Sequence, residues 1–179
     1  PERERLPGIE TTSGPLGSGL SQAAGMAYGA KMDKKILRVY CLMSDAEQEA
    51  GNTWEAAMFA SKYRLNNLIG VIDRNNIQID GMTEDIMPLE PLSDKYKSFG
   101  WHVIDIDGNN IREFAEAVEE SKNIYEKPTL IMAHTVPGKG VKEIEFDFLW
   151  HGKPPKPDEA KKFVEELKAL EEKIKSEHK

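Results

Sequence analysis

Residues 36–56 read ILRVYCLMSDAEQEAGNTWEA, and this stretch indicates the fold. An apolar run over residues 36–43 is followed by the acid Asp45, and a helical pattern begins a few residues later. Short, largely continuous apolar runs are typical of strands that are covered on both faces of a sheet. Three further runs have the same character: NLIGVID (67–73), WHVIDID (101–107) and PTLIMAHT (128–135).

Helical patterns separate the four apolar runs. They lie over residues 18–32, 52–64, 92–99 and 111–124. Strands and helices that alternate along a chain predict a parallel sheet with right-handed crossovers. We therefore expect a doubly wound α/β domain, with helices on both faces of the sheet, over residues 1–156.

The segment 157–179 differs from the rest of the chain because it is a highly charged helical pattern with one apolar stripe. The stripe consists of Phe163, Leu167, Leu170 and Ile174, which are spaced alternately by four and three residues. Two interpretations remain open. The helix either packs on its own domain, which we favour, or docks on a partner chain.

Composition limits the class of protein. A net charge of −7 argues against a general nucleic-acid surface, which needs clustered Lys and Arg. No apolar stretch approaches membrane-spanning length, and no signal peptide opens the sequence. The single cysteine, Cys41, lies in an apolar run and allows no internal disulfide, so we expect a buried thiol and a reducing, cytoplasmic location.

Doubly wound sheets bind ligands beyond the carboxyl ends of their strands. Asp45, the segment 73–75 and the residues after Thr135 all lie at such ends, so we expect them to converge. Asp45 is either a loop or capping acid or a ligand for a charged group. Asn75 offers an amide oxygen, and Ile77, in a segment that we expect to be irregular, offers a carbonyl oxygen.

One carboxylate, one amide oxygen and one carbonyl oxygen make half of an octahedral shell, and Mg²⁺ fills the remainder with phosphate oxygens and water. Taken alone, however, NNIQIDG (75–81) is equally a turn, because Asn-Asn and Asp-Gly favour turns. The glycine-rich stretch TTSGPLGSGLSQAAG (11–25) precedes a helix and would let backbone approach an anion. A simple turn before the helix explains it as well, and its spacing does not match the dinucleotide fingerprint.

Together these motifs resemble the N-terminal, diphosphate-binding domain of transketolase over residues 7–155. The similarity rests on their order as well as on their content. The motifs are GPLG (14–17), Asp45 followed by Asn75, NNIQIDG (75–81), FGWHVIDIDG (99–108) and WHGKPP (150–155).

The resemblance implies thiamine diphosphate as the cofactor. It assigns Asp45, Asn75 and the Ile77 carbonyl to the Mg²⁺ ion on the diphosphate, with Ca²⁺ or Mn²⁺ as alternatives. It places Gly14 and Leu16 at the aminopyrimidine side of the cofactor.

The resemblance also places His151, in WHGKPP, near the diphosphate and the substrate as the catalytic residue of this domain. Ser44, Asp45 and Ala46 stand where the family has Gly-Asp-Gly, at the point where backbone meets diphosphate. We expect Ala46 to loosen binding if that position requires a positive φ. Ala50 stands where a glutamate of the subunit contact is common.

The family sequence begins well upstream of Pro1, with the first strand of the domain and histidines that bind the sugar phosphate. The glutamate that activates the cofactor comes from a pyrimidine-binding domain. The resemblance therefore implies a polypeptide that transfers a two-carbon ketol unit between sugar phosphates, in the pentose phosphate pathway, only with a separate C-terminal subunit in a homo- or hetero-oligomer. A truncated, non-catalytic cofactor-binding or scaffold protein is the alternative, and a deoxyxylulose-phosphate synthase fits WHGKPP and IDG less well.

Overall fold

The structure is a computed structural model that describes residues 1–177, so the last two residues of the predicted tail helix lie outside the described part. The strands are β1 (Val39–Ser44), β2 (Leu68–Arg74), β3 (Ile77–Gln78), β4 (Gly81–Met82), β5 (His102–Asp107) and β6 (Thr129–His134). The helices are α1 (Gly19–Met32), α2 (Gly51–Lys62), α3 (Thr83–Ile86), α4 (Leu92–Ser98), α5 (Ile111–Ser121) and α6 (Pro157–Glu177). Two 3₁₀ turns are also present, at Ala46–Glu49 and Phe148–Trp150.

The main sheet has four parallel strands in the order β1–β2–β6–β5. Each of these strands lies within a predicted apolar run or extends one residue beyond it, and the parallel sheet is confirmed. The register pairs Ser44 with Asp73 and Asp73 with Ala133, so the carboxyl ends of β1, β2 and β6 lie side by side.

Helices cover both faces of the sheet, as predicted for a doubly wound fold. On one face, α1, α2 and α4 bury their apolar sides against β1 and β2, in a core that includes Leu20, Met43 and Tyr96. On the other face, α5 packs Ala117 against a second cluster that includes Ile69 and Ile131. Burial on both faces explains why β2 is a continuous apolar run rather than an alternating one.

The chain divides into two compact units. The first contains residues 1–74 and 89–135, and therefore the whole main sheet; the second contains residues 75–88 and those from 136 onward. The boundary that the sequence predicted at 156/157 stays a prediction. None of the helices within residues 1–177 has the length and apolar content needed to cross a membrane.

The tail helix α6 packs within the second unit. Phe163 is buried, and its ring meets the edge of Trp150 with the centroids 5.5 Å apart. The Lys142 N–H donates to the Glu166 carboxylate at 3.0 Å, and Lys162 pairs with Glu143. These contacts are those of a helix that packs on its own chain, the interpretation that the sequence favoured.

Candidate functional site

Asp45 lies directly after β1 and begins the 3₁₀ turn Ala46–Glu49. Its side chain is fully buried. Oδ1 accepts a hydrogen bond from the Ala46 N–H at 2.7 Å, which is the capping role that the sequence left open. Oδ2 accepts a hydrogen bond from Arg74 Nη1 at 3.0 Å, so this carboxylate already has a cation beside it.

Sequence reasoning missed Arg74. It is the last residue of β2, and because Ser44 pairs with Asp73, Asp45 and Arg74 follow one step further along the two strands. Its side chain is 2% exposed, and its second nitrogen, Nη2, donates to Glu90 Oε1 at 2.9 Å. The parallel register of adjacent strands is the signal that could have identified this pair.

Glu47 joins the glycine-rich stretch to the end of β1. Its buried carboxylate accepts one hydrogen bond from the Gly17 N–H and one from the Ser44 N–H, each at 3.0 Å. Gly17 has φ +80°, and a Cβ there would lie 2.4 Å from the Ala50 Cβ, so only glycine fits. The loop before α1 is therefore held in place by a carboxylate that sequence reasoning did not identify.

The predicted aminopyrimidine residues lie in this loop. Leu16 exposes two thirds of its side chain, and a Cβ on Gly14 would meet no atom within 4 Å. Ala46 does not have a positive φ, so a methyl group at that position brings no backbone strain. The condition under which Ala46 would loosen binding is therefore not met in this structure.

Asn75 and Ile77 belong to the second compact unit. The prediction of an irregular segment at Ile77 was wrong, because Ile77–Gln78 and Gly81–Met82 pair as a small antiparallel hairpin. Strands of two residues are too short to produce a periodic pattern, which is why the sequence suggested only a turn. The Asn75 side-chain oxygen accepts the Ile77 N–H at 3.0 Å and so fixes the entry into the hairpin.

His151 also belongs to the second unit and ends the turn Phe148–Trp150. Its backbone N–H donates to the Phe148 carbonyl at 2.9 Å, and the residue is exposed. Lys153 lies 4.1 Å from the centroid of the Trp150 ring and stabilises the same turn. This backbone holds His151 in a defined place on the surface of its unit.

Cys41 is a structural residue, as the sequence predicted. It is buried, and burial raises the pKa of its thiol to about 12, with a smaller contribution from the charge of Glu47. A thiol with such a pKa is neutral at physiological pH and is not a nucleophile.

The donors at Asp45, Asn75 and Ile77 fit a hard cation in kind, since all are oxygens. Within residues 1–177, no group of three or more His, Cys, Asp or Glu side chains could hold a metal, so any ion here would depend on such a mixed set. Asp45 differs from an open ligand in one respect, because Arg74 already compensates its charge. A metal that takes Asp45 has to displace that guanidinium group.

Comparison with known proteins identifies the family. The family model described as the transketolase thiamine diphosphate binding domain matches residues 1–173. One of the two subunits of an apulose-4-phosphate transketolase, from Phocaeicola vulgatus, is 40% identical over 97% of this chain and 62% of its own length. A 6-deoxy-6-sulfo-D-fructose transketolase subunit from a Clostridium species is 48% identical over 78% of this chain and 50% of its own length.

The fold also matches solved structures. A crystal structure of transketolase from Campylobacter jejuni has a TM-score of 0.72 and 32% identity, over 76% of this chain and 22% of the other. The chain thus spans about half to three fifths of the length of the two relatives that it matches, and a smaller part of this transketolase.

Proposed function

Because the chain belongs to the family of transketolase thiamine-diphosphate-binding domains, we propose that it is the diphosphate-binding part of a transketolase. A separate polypeptide with a pyrimidine-binding domain would complete the active site. The match to relatives that are named as single subunits of a transketolase, over 97% of this chain in one case, is the observation that carries the proposal.

The Asp45 carboxylate, the Asn75 amide oxygen and the Ile77 carbonyl would hold Mg²⁺ on the cofactor, with Ca²⁺ or Mn²⁺ as substitutes. Their oxygen chemistry supports this assignment, and so does their place in the motif order. Ser44 and Ala46 are small enough to leave room for the diphosphate beside Asp45. Gly14 and Leu16, in the loop that Glu47 holds, would contact the aminopyrimidine side.

When bound, thiamine diphosphate supplies the nucleophilic carbon for transfer of a two-carbon ketol unit from a ketose phosphate to an aldose phosphate. The contribution of this chain is to bind and orient the cofactor and the sugar. His151, exposed on a turn with a fixed backbone, would donate or accept a proton at a sugar hydroxyl.

The partner polypeptide would supply the glutamate that activates the cofactor, so this chain would be active only within a homo- or hetero-oligomer that contains the partner. We place the reaction in the pentose phosphate pathway and in the cytoplasm, where the single, buried Cys41 stays reduced. The relatives are named for different sugars, among them apulose 4-phosphate and 6-deoxy-6-sulfofructose, so the donor has to be found by test.

A second candidate is a non-catalytic scaffold that keeps the fold. The ion pair between Asp45 and Arg74 favours it, because the pair gives Asp45 a structural role that needs no metal. The scaffold would bind neither metal nor cofactor through Asp45, and no partner would give it activity.

Reconstitution separates the two candidates. The purified chain is mixed with a transketolase pyrimidine-domain polypeptide, thiamine diphosphate and Mg²⁺, and ketol transfer is followed with xylulose 5-phosphate, fructose 6-phosphate and apulose 4-phosphate as donors. The transketolase proposal predicts activity only in the mixture, and less of it with His151→Ala. Full activity of the chain alone would contradict the need for a partner, and no activity with any donor would favour the scaffold.

A further inference from the structure

Arg74 bridges two carboxylates that differ greatly in exposure. Nη1 donates to Asp45, whose side chain is 0% exposed, and Nη2 donates to Glu90, whose side chain is 54% exposed. Glu90 is itself held in place, because its other oxygen accepts the Leu92 N–H at 2.9 Å. The guanidinium group therefore lies between an inner partner in the candidate site and an outer partner at its edge.

A metal at Asp45 would meet this guanidinium group at close range. Both Asp45 oxygens accept hydrogen bonds within the chain, one from Ala46 and one from Arg74. Two cations beside one buried carboxylate repel each other strongly, because little water is present to screen them. Binding of a divalent ion at Asp45 thus requires the Nη1 contact to break.

Glu90 offers the displaced guanidinium group a place to stay. Since Nη2 already lies 2.9 Å from Glu90 Oε1, Arg74 can give up Asp45 and keep this ion pair. A fixed planar guanidinium with several donors can serve two carboxylates and then one without moving far.

We propose that Arg74 and the divalent cation compete for Asp45, and that Glu90 favours the cation by drawing Arg74 outward. The inference rests on the proposed function and deepens it, because it identifies the residues that set the affinity of that site for metal. In the absence of metal, Arg74 keeps the buried Asp45 carboxylate neutralised; with metal, Glu90 keeps Arg74.

The test is binding of Mn²⁺, in the presence of thiamine diphosphate, followed by electron paramagnetic resonance of the free ion. Arg74→Met removes the competing cation and keeps most of the side-chain volume. We expect it to bind Mn²⁺ at least about tenfold more tightly than the natural chain, as loss of one nearby like charge in a partly buried site implies. Arg112→Met, the same change on an exposed position of α5, is the matched control and should leave the affinity unchanged.

Glu90→Gln provides an independent test on a half-exposed residue that the fold tolerates. It removes the outward pull on Arg74, so Mn²⁺ should bind several-fold more weakly. If Arg74 only positions Asp45, Arg74→Met would instead weaken Mn²⁺ binding, and Glu90→Gln would leave it equal or stronger. Either result would overturn the inference.

Asp45→Ala distinguishes failure of this inference from failure of the proposed function. If Asp45→Ala abolishes Mn²⁺ binding while Arg74→Met and Glu90→Gln leave it unchanged, the metal site stands and competition is refuted. If neither the natural chain nor Arg74→Met binds Mn²⁺ through Asp45, both proposals are refuted.

Discussion

Gly17→Ala should destabilise the chain far more than a single methyl group suggests. The residue has φ +80°, a conformation that costs an L-residue with a side chain about 1–2 kcal/mol. The new Cβ would lie 2.4 Å from the Ala50 Cβ and 2.7 Å from the Asn52 Oδ1, and overpacking of this kind costs about 1–3 kcal/mol more. We therefore expect a loss of roughly 2–5 kcal/mol in the free energy of unfolding.

Urea unfolding followed by circular dichroism measures this loss. Gly25→Ala is the matched control, because Gly25 is exposed on α1, nothing lies within 4 Å of its added Cβ, and alanine favours a helix. It should stabilise the chain by up to about 1 kcal/mol. In the Gly17→Ala background, Ala50→Gly should restore the part of the loss that comes from overpacking. An unfolding free energy for Gly17→Ala within about 0.5 kcal/mol of the natural chain would refute the close approach of the two loops.

Two further predictions concern buried groups near the same turn. Because burial raises the pKa of Cys41 to about 12, the unfolded chain alone loses this proton above its usual pKa of about 8.5. The free energy of unfolding should then fall by up to about 1.4 kcal/mol per pH unit between these values, and Cys41→Ala should lack this contribution in urea unfolding at pH 8 and pH 10. Glu47→Gln leaves one of two backbone N–H groups, Gly17 or Ser44, without a carboxylate oxygen, and should cost about 1–3 kcal/mol in the same assay. Glu55→Gln, on the exposed side of α2, should change stability by less than about 0.5 kcal/mol, and an equal loss in both variants would contradict the role of Glu47.

The sheet could be predicted from the sequence because its strands are continuous apolar runs separated by helical patterns. The least accurate boundary was the start of β1, which the run from residue 36 placed too early. Ile36 is apolar but fully exposed, and a pattern of apolar residues cannot distinguish a surface position from a strand. The hairpin of β3 and β4 was missed because two-residue strands have no detectable period.

The candidate site was predicted only in part, and the missing part depends on register. The sequence placed Asp45 at a strand end but could not show which residue of β2 faces it. Pairing of Ser44 with Asp73 brings Arg74 to Asp45, and a shift of one residue would have brought another side chain. The role of Glu47 was missed for the same reason, since its partner Gly17 is distant in sequence.

The central claim is that this chain binds magnesium and thiamine diphosphate through Asp45. The most direct measurement is a calorimetric titration with thiamine diphosphate of the chain mixed with a pyrimidine-domain polypeptide. The titration is done with Mg²⁺, with EDTA and with Asp45→Ala, after circular dichroism has established that the variant is folded. Our account predicts binding that EDTA and Asp45→Ala each abolish. Binding that persists with EDTA, or that is as tight in Asp45→Ala as in the natural chain, would contradict it.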